Sequence, residues 1–418
     1  MQELAILGGR PLRDKPYPPY NVIGQEEKAA ALKVLDSGVL SGFVATPGPE
    51  FNGGEHVKGL EADFCRYFGS PHAVSFNSAT SALHACLAAG KLDEGDEVIV
   101  SPYTMCASAT AAIMCGATPV FVDIEPDYFC LKVEHVAAAI TNRTKAIVAV
   151  NIFGQPADLE PLAKLSKQNN LFLIEDNSQA PGARYKGKFT GTIGHMGVFS
   201  FNRHKTIQCG EGGIVISNNP ELAYRLQLVR NHGEAVQGDL PIGKQQSEHF
   251  DIIGFNYRLT ELQAAITRPQ FARLEQLNNH RVELAEYFTE RLKEYSFLLP
   301  PKIRNTCSHV YYLYPMIYQK EYLGISRDVF VKAIVAEGIP IANYVQPLYR
   351  LPIYRTKLDG KSNYNADNFP IVEDLWKNKM ITTFICRPPL SKVHIDEFFS
   401  AIEKISEGAN RLKNLDCS

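Results

Sequence analysis

Short apolar runs alternate with helical segments through the first two-thirds of the chain, and this rhythm limits the fold more than any other feature. His72–Phe76 (HAVSF), Glu97–Ser101 (EVIVS), Pro119–Ile124 (PVFVDI), Ala146–Ile152 (AIVAVNI) and Leu171–Asp176 (LFLIED) read as strands. Helical patterns cover Ser78 to Gly90, Ala107–Met114 and Leu159–Gln168. A strand that is apolar along its whole length needs cover on both faces, which a parallel sheet flanked by helices supplies. Val198–Phe201 and Gly213–Ser217 follow with no room for a helix between them, so they pair like a hairpin and the sheet is mixed. The fold class is therefore α/β with a mostly parallel sheet.

After Pro220 the pattern turns helical, over Glu221–Asn231 and Leu259–Lys293, and the Arg268-Pro269 step is expected to kink or interrupt the second helix. From Phe297 the composition shifts again. Val310–Ile317 (VYYLYPMI) reads as a strand, Arg327–Glu337 as a helix ended by Gly338, and Ile395–Ser406 as a closing helix. These segments predict a smaller C-terminal α+β domain, with residues 1–270 forming the N-terminal segment and large domain and 271–418 a linking helix and the small domain. Ser41–Gly54 and Gly233–Ser247, rich in Gly, Pro and polar residues, read as exposed loops.

Composition excludes several function classes. With 43 basic against 45 acidic residues the net charge is −2 and no basic cluster exists, so no nucleic-acid partner is expected. No run of about 18 apolar residues exists to span a membrane. The opening MQELAILGGRPLRDK lacks an apolar stretch with a cleavage site, so a cytoplasmic location is expected. The nine Cys are scattered without a C-x-x-C pair, which argues for reduced thiols. The 11 His form no H-x-x-x-H or H-E-x-x-H, so no metal site is expected.

The chemistry concentrates in SFNRHKTIQCGEGG, residues 200–213. Lys205 follows a buried strand and precedes a glycine-rich turn, an unusual place for a solvated lysine. Asp176 ends a predicted parallel strand, where open α/β sheets put ligand-binding residues. Asn77-Ser78-Ala79-Thr80-Ser81-Ala82 joins a strand to a helix whose N-terminal N–H groups suit a phosphate. Each feature alone has a structural reading: Asp176, Ser78 and Thr80 as helix caps, Gly212 and Gly213 as a plain turn. Together, and in this order, they describe a pyridoxal phosphate site. There a lysine amine condenses with the aldehyde, a carboxylate holds a proton on the pyridine nitrogen, and a helix N-terminus anchors the phosphate.

On these segments the chain resembles the DegT/DnrJ/StrS-type sugar aminotransferases of fold type I, from Gly24 to Ile405. The resemblance is carried by SFNRHKTIQCGEGG, EDNSQAPGA, GDEVIVSPYT, PVFVDIEPD, the RNHG at 230–233 and GFNYRLTELQAAI. It implies the seven-stranded sheet of the pyridoxal phosphate-dependent transferase fold. It also implies transfer of an amino group from L-glutamate or L-glutamine to a ketosugar, nucleotide-linked, in aminosugar biosynthesis. Lys205 would be the Schiff-base lysine, Asp176 the pyridinium partner and Gln179 the contact to the cofactor's phenolic oxygen. Ser78, Ala79, Thr80 and Ser200 would bind the phosphate. Asn256 would reach it from the partner subunit of a homodimer with shared active sites. Arg258 is a weaker candidate, a structural ion pair being an equal reading.

Relatives that act as dehydratases carry a His at the lysine position. Here Lys205 is present with His204 before it, which fits the aminotransferase and disfavours a dehydratase. A cofactor-binding regulator is disfavoured by the charge and the lack of an appended nucleic-acid module. The opening LAILGGRP resembles a subgroup acting on aminocyclitol ketones such as an inosose, a second acceptor reading. Departures from the family pattern are Met105 in Pro102-Tyr103-Thr104-Met105, where an aromatic ring usually stacks on the pyridine, Asn151 in place of a His, and a longer Ser41–Gly54 segment. Met105 is the expected soft substitute against the ring unless Tyr103 takes that place. Tyr344 and His309 are read as packing residues.

Overall fold

A computed structural model describes residues 3–45, 48–233, 252–356 and 364–417. Seven strands form the large sheet: β1 (His72–Phe76), β2 (Glu97–Val100), β3 (Thr118–Phe121), β4 (Thr144–Val150), β5 (Phe172–Asp176), β6 (Met196–Ser200) and β7 (Gly213–Ser217). Their order is β1-β7-β6-β5-β4-β2-β3. Only β7 runs antiparallel to its neighbours; the other pairings are parallel. The C-terminal ends of β1, β5 and β6 and the start of β7 therefore meet at one edge of the sheet. Val98 to Val100 and Ala146 to Ala149 are fully buried, as strands covered on both faces must be.

The helices that cover the sheet follow local rules. Ala79–Ala89 is capped by the Ser78 hydroxyl, which accepts from the Ser81 N–H at 3.0 Å. Leu159–Gln168 buries Leu159 and Leu162 on one stripe. Pro220–Arg230 starts with Pro at its first position behind an Asn219 cap. Two N-terminal helices, Gln25–Ser37 and Glu55–Phe68, and the short Val133–Ala139 complete this unit and lack a sequence-level expectation.

A second, antiparallel sheet orders Leu298–Leu299, Tyr314–Tyr318, Met380–Thr383 and Ile341–Asn343. Its own core brings together Phe288, Tyr314, Phe330, Phe398 and Ile402 from this sheet and the helices Leu274–Leu292, Arg327–Ala336 and Lys392–Leu412. The chain start folds onto this unit. Buried Glu337 accepts from Ala5 N at 2.9 Å, Leu12 N at 3.0 Å and Lys404 Nζ at 2.7 Å.

Three sequence expectations change. The helix Glu261–Ala272 runs through Pro269, and the break falls at Arg273 instead of the Arg268-Pro269 step. Proline removes a single N–H, the one that would bond Ala265 O, and the helix continues through the next turn on its other bonds. The segment Val310–Ile317 is a strand only from Tyr314. Tyr311 has φ 48°, and Val310 N donates to Gly154 O, so its first half is a turn against the Phe153–Gly154 backbone. The described part of Ser41–Gly54 is anchored: Phe43 and Phe51 are buried, and Asn231 Nδ2 donates to Val44 O and Phe51 O. Of the other expected loop, residues 234–247 lie outside the described residues.

The turn before Tyr314 carries a titration consequence. His309 is buried, stacks on Tyr311 at 4.1 Å between centroids, and accepts from Tyr311 N through Nδ1. Burial pushes its imidazole down to about 3. The unfolded chain takes up this proton below about 6.5 while the folded chain refuses it, so the stability is present above that value and lost as pH falls towards 3. Between pH 7 and pH 5 this group should remove roughly 2 kcal/mol. Urea unfolding of His309→Gln should show that much less loss over the same interval; an identical loss in both proteins refutes the assignment.

Candidate active site

The sheet edge where β1, β5, β6 and β7 meet opens into a cavity of about 360 Å³, within the range of small-molecule sites. Among the sequence candidates, Ser78, Ala79, Thr80, Met105, Asp176, Gln179, Ser200 and Lys205 all line it. Asn256 does not; it is exposed, and its carbonyl lies 3.5 Å from Asn77 Nδ2.

Asp176 is the last residue of β5. Its Oδ2 accepts from the Ser108 hydroxyl at 2.7 Å and its Oδ1 from Ser178 N at 3.2 Å. Strand alternation turns the preceding Glu175 to the opposite face. There its carboxylate accepts from Gly191, Ile193 and Gly194 N–H groups at 2.6 to 2.8 Å, and burial raises its pKa against those bonds. Two adjacent acids thus have separate tasks: Glu175 ties down a loop, and Asp176 faces the cavity.

Lys205 lies in the connection from β6 to β7. Its N–H donates to Asn202 O at 2.8 Å, and Nζ sits 4.4 Å from the centre of the Tyr312 ring. That ring is delivered by the turn at Tyr311 in the second unit, so the cavity is closed from both units. His204, also lining the cavity, is shifted below its usual range by burial and by the charges of Arg203, Arg387 and Lys205, which keeps it neutral.

The anion cradle is built by three elements. Ser78 caps the helix, and the N–H groups of Ala79 and Thr80 lie in the first turn, before intrahelical bonding begins. Ser200 ends β6 and pairs with Gly213, which also pairs with Phe76 of β1. A Cβ on Gly213 would stand 2.7 Å from Ala79 N and 2.8 Å from Ser78 C, so glycine is required for β7 to run beside the helix start. A phosphate at the helix, an acid at a ring nitrogen and a lysine amine at an aldehyde match this arrangement, so the residues fit pyridoxal phosphate.

Other candidates separate. Gln179 Oε1 accepts from Phe153 N at 2.7 Å, which fixes its amide. Tyr103 is fully buried, edge-on to Tyr344 at 5.1 Å, leaving Met105, 56% exposed, and Thr104 as the residues of that segment lining the cavity. Tyr344 packs against Phe153 at 4.7 Å, and burial raises its phenol. Arg258 donates to Asn231 Oδ1 at 2.6 and 3.0 Å, a neutral acceptor in place of an ion pair. Arg230 of the RNHG segment is fully buried and pairs with Glu61 at 2.6 Å, so this segment is structural support.

Sequence reasoning missed Ser108, Thr104 and Tyr312, all lining the cavity. Ser108 had a faint signal, a hydroxyl in the apolar run ASATAAIM after the Pro102–Met105 segment. Tyr312 had none, because VYYLY offers no period that singles it out. Among the described residues no His, Cys, Asp and Glu group could hold a metal, none of the cysteines Cys65 to Cys386 is bonded, and no helix is long and apolar enough to cross a membrane.

Comparison with known proteins supplies a family and a fold. Residues 23–400 match the family described as the DegT/DnrJ/EryC1/StrS aminotransferase family. The chain is 36% identical over 302 residues to GDP-perosamine synthase of Caulobacter vibrioides, covering 72% of this chain and 79% of that protein. Its fold is similar to that of an aminotransferase from Psychrobacter cryohalolentis, with TM-score 0.84, 28% identity and coverage of 94% and 100%. It is also similar to S. venezuelae DesV, solved in complex with a ketimine intermediate, with TM-score 0.79, 31% identity and coverage of 91% and 94%.

Proposed function

The chain belongs to the DegT/DnrJ/EryC1/StrS aminotransferase family and is an aminotransferase, and on that premise we propose that it moves an amino group from L-glutamate or L-glutamine to a nucleotide-linked ketosugar, using pyridoxal phosphate. The observation that carries this reading is that Lys205, Asp176 and the helix start at Ser78–Thr80 line one cavity. The printed name of the Caulobacter relative, a GDP-perosamine synthase, supports the sugar and nucleotide parts.

Bound pyridoxal phosphate supplies an aldehyde that accepts the amine and a ring that withdraws electrons from the donor's α-carbon. The chain's residues do the rest. Ala79 and Thr80 N–H groups, with the Ser78 and Ser200 hydroxyls, hold the phosphate. Asp176, held by Ser108 and Ser178, keeps a proton on the ring nitrogen. Lys205 Nζ takes the proton from the donor's Cα and, in the second half of the reaction, delivers one to the acceptor's former carbonyl carbon. Met105 packs on the ring, and Gln179 orients it at the phenolic oxygen. The exposed Asn256 completes the phosphate site of the partner in a homodimer.

Two measurements test this reading. Purified holoenzyme should be yellow, and excess glutamate or glutamine should shift that absorption; no response to either donor refutes the donor assignment. With ¹⁵N-labelled donor, mass spectrometry across nucleotide-linked ketosugars and inososes should place the label on a sugar. Label on an inosose alone would overturn the acceptor class. Separately, Gly213→Ala should weaken cofactor binding by about tenfold or more, because the new methyl displaces the backbone of the cradle. Equilibrium dialysis showing unaltered affinity would count against the phosphate assignment.

A further inference from the structure

Among the described residues, two arginines near the Lys205–Tyr312 contact, the buried Arg281 and the half-buried Arg387, have no acid partner. Arg281 is 1% exposed, and only its Nη1 is engaged, donating to Tyr311 O and Tyr312 O at 3.3 and 3.4 Å. Its Nε and Nη2 are buried with no partner. Arg387 has no side-chain hydrogen bond or ion pair among the described residues. Its guanidinium lies 4.4 Å from the Phe384 ring centre and 5.3 Å from that of Tyr20. Arg281 lies 5.3 Å from the same Tyr20 ring, so one tyrosine contacts both cations.

The pair is tied to the reaction centre by contacts on this chain. The Tyr20 hydroxyl donates to Thr206 O at 2.6 Å, one residue beyond Lys205. The Tyr312 ring beneath Lys205 Nζ belongs to the residue whose carbonyl Arg281 binds. Burial and the neighbouring Arg281 charge together lower Arg387 to about 10, still cationic at neutral pH. By contrast the buried Arg230 pairs with Glu61, and the partly buried Arg304 with Glu125. Two facing cations without an acid are unfavourable to fold around, and an incoming oxyanion relieves that repulsion.

We propose that Arg387, backed by Arg281, is the subsite for a carboxylate of the amino donor. A guanidinium presents parallel N–H groups that match a carboxylate, and the pair is joined through Tyr312 and Tyr20 to the Lys205 segment, where a donor's nitrogen must arrive. The carboxylates of glutamate and glutamine lie within a few bonds of that nitrogen. This assignment rests on the donor reading above.

The test uses holoenzyme and two probes. Glutarate, a dicarboxylate without an amine, is titrated by calorimetry, and glutamate is titrated by the cofactor's absorption in the absence of acceptor. Arg387→Leu should weaken both by about 30-fold or more, Arg387→Lys by less, with half-saturation by the sugar acceptor unchanged. Unliganded Arg387→Leu should melt at the native temperature or above, since one of two facing like charges is gone. Native-like glutarate and glutamate titrations, or a loss confined to the acceptor, overturn the proposal. So does a lowered melting temperature with equal losses toward both substrates, which would make Arg387 structural. If native holoenzyme responds to neither glutamate nor glutamine, the donor reading fails; the glutarate comparison still decides the subsite, and native protein that ignores glutarate overturns it.

Discussion

Lys205→Ala should lower the complete amino transfer by about 10³-fold or more while leaving the fold intact. The proposed role gives this amine both the covalent attachment and the proton transfer, and no neighbour replaces it. His204 lines the same cavity but is held neutral by burial and by three nearby cations, and its ring accepts from Arg203 Nε at 3.3 Å. The structural cost of the substitution is small. The contact described for Nζ is with the Tyr312 ring at 4.4 Å, worth about 0.5–1 kcal/mol at a partly exposed site. Melting temperature should therefore move little while turnover collapses. Lys205→Arg should collapse equally, because it keeps the charge but has no primary amine. Sustained turnover with ¹⁵N-labelled glutamate in either variant would sink the assignment.

Asp176→Ala should cost about 10²-fold or more in turnover, and Asp176→Asn nearly as much. The carboxylate is 6% exposed and fixed by Ser108 and Ser178, so in the proposed role it would meet the cofactor's ring nitrogen without rearranging. An amide at this place can still accept from Ser108, yet it carries no charge to hold the nitrogen's proton. Comparing the two variants isolates charge from hydrogen bonding. Glu175 cannot substitute, since strand alternation turns it away and three backbone N–H groups occupy its oxygens. Ser108→Ala should produce a milder loss in the same direction. Normal turnover of Asp176→Asn would refute the role, and circular dichroism would confirm that both variants fold.

How far the chain was legible depended on the range of the interactions involved. β5 and β7 follow from local apolar runs, and the Ser78 cap from a hydroxyl at a strand–helix joint. Lys205, Asp176 and Ser78–Thr80 were legible because parallel strands put their C-terminal ends at one edge, a rule that acts through topology alone. Pro269 misled because the loss of one N–H does not end a helix at that residue: this one runs on to Ala272 and breaks at Arg273. Phe43 and Phe51 misled because a loop rich in Gly and Pro gains its burial from Arg230 and Asn231, about 180 residues later, with Asn231 Nδ2 bonding Phe51 O and Arg230 Nη2 bonding Asn52 Oδ1.

By itself the sequence determined the alternating α/β order and the residue types of an amine, an acid and an anion cradle, since these rest on contacts between near neighbours and on strand direction. The tertiary structure alone decided that Tyr312 underlies Lys205, that Ser108 braces Asp176, and that Arg281 and Arg387 share Tyr20 with no acid partner among the described residues. Those contacts join segments 68 to more than 360 residues apart, and only a folded core fixes which of many similar tyrosines, serines and arginines meet.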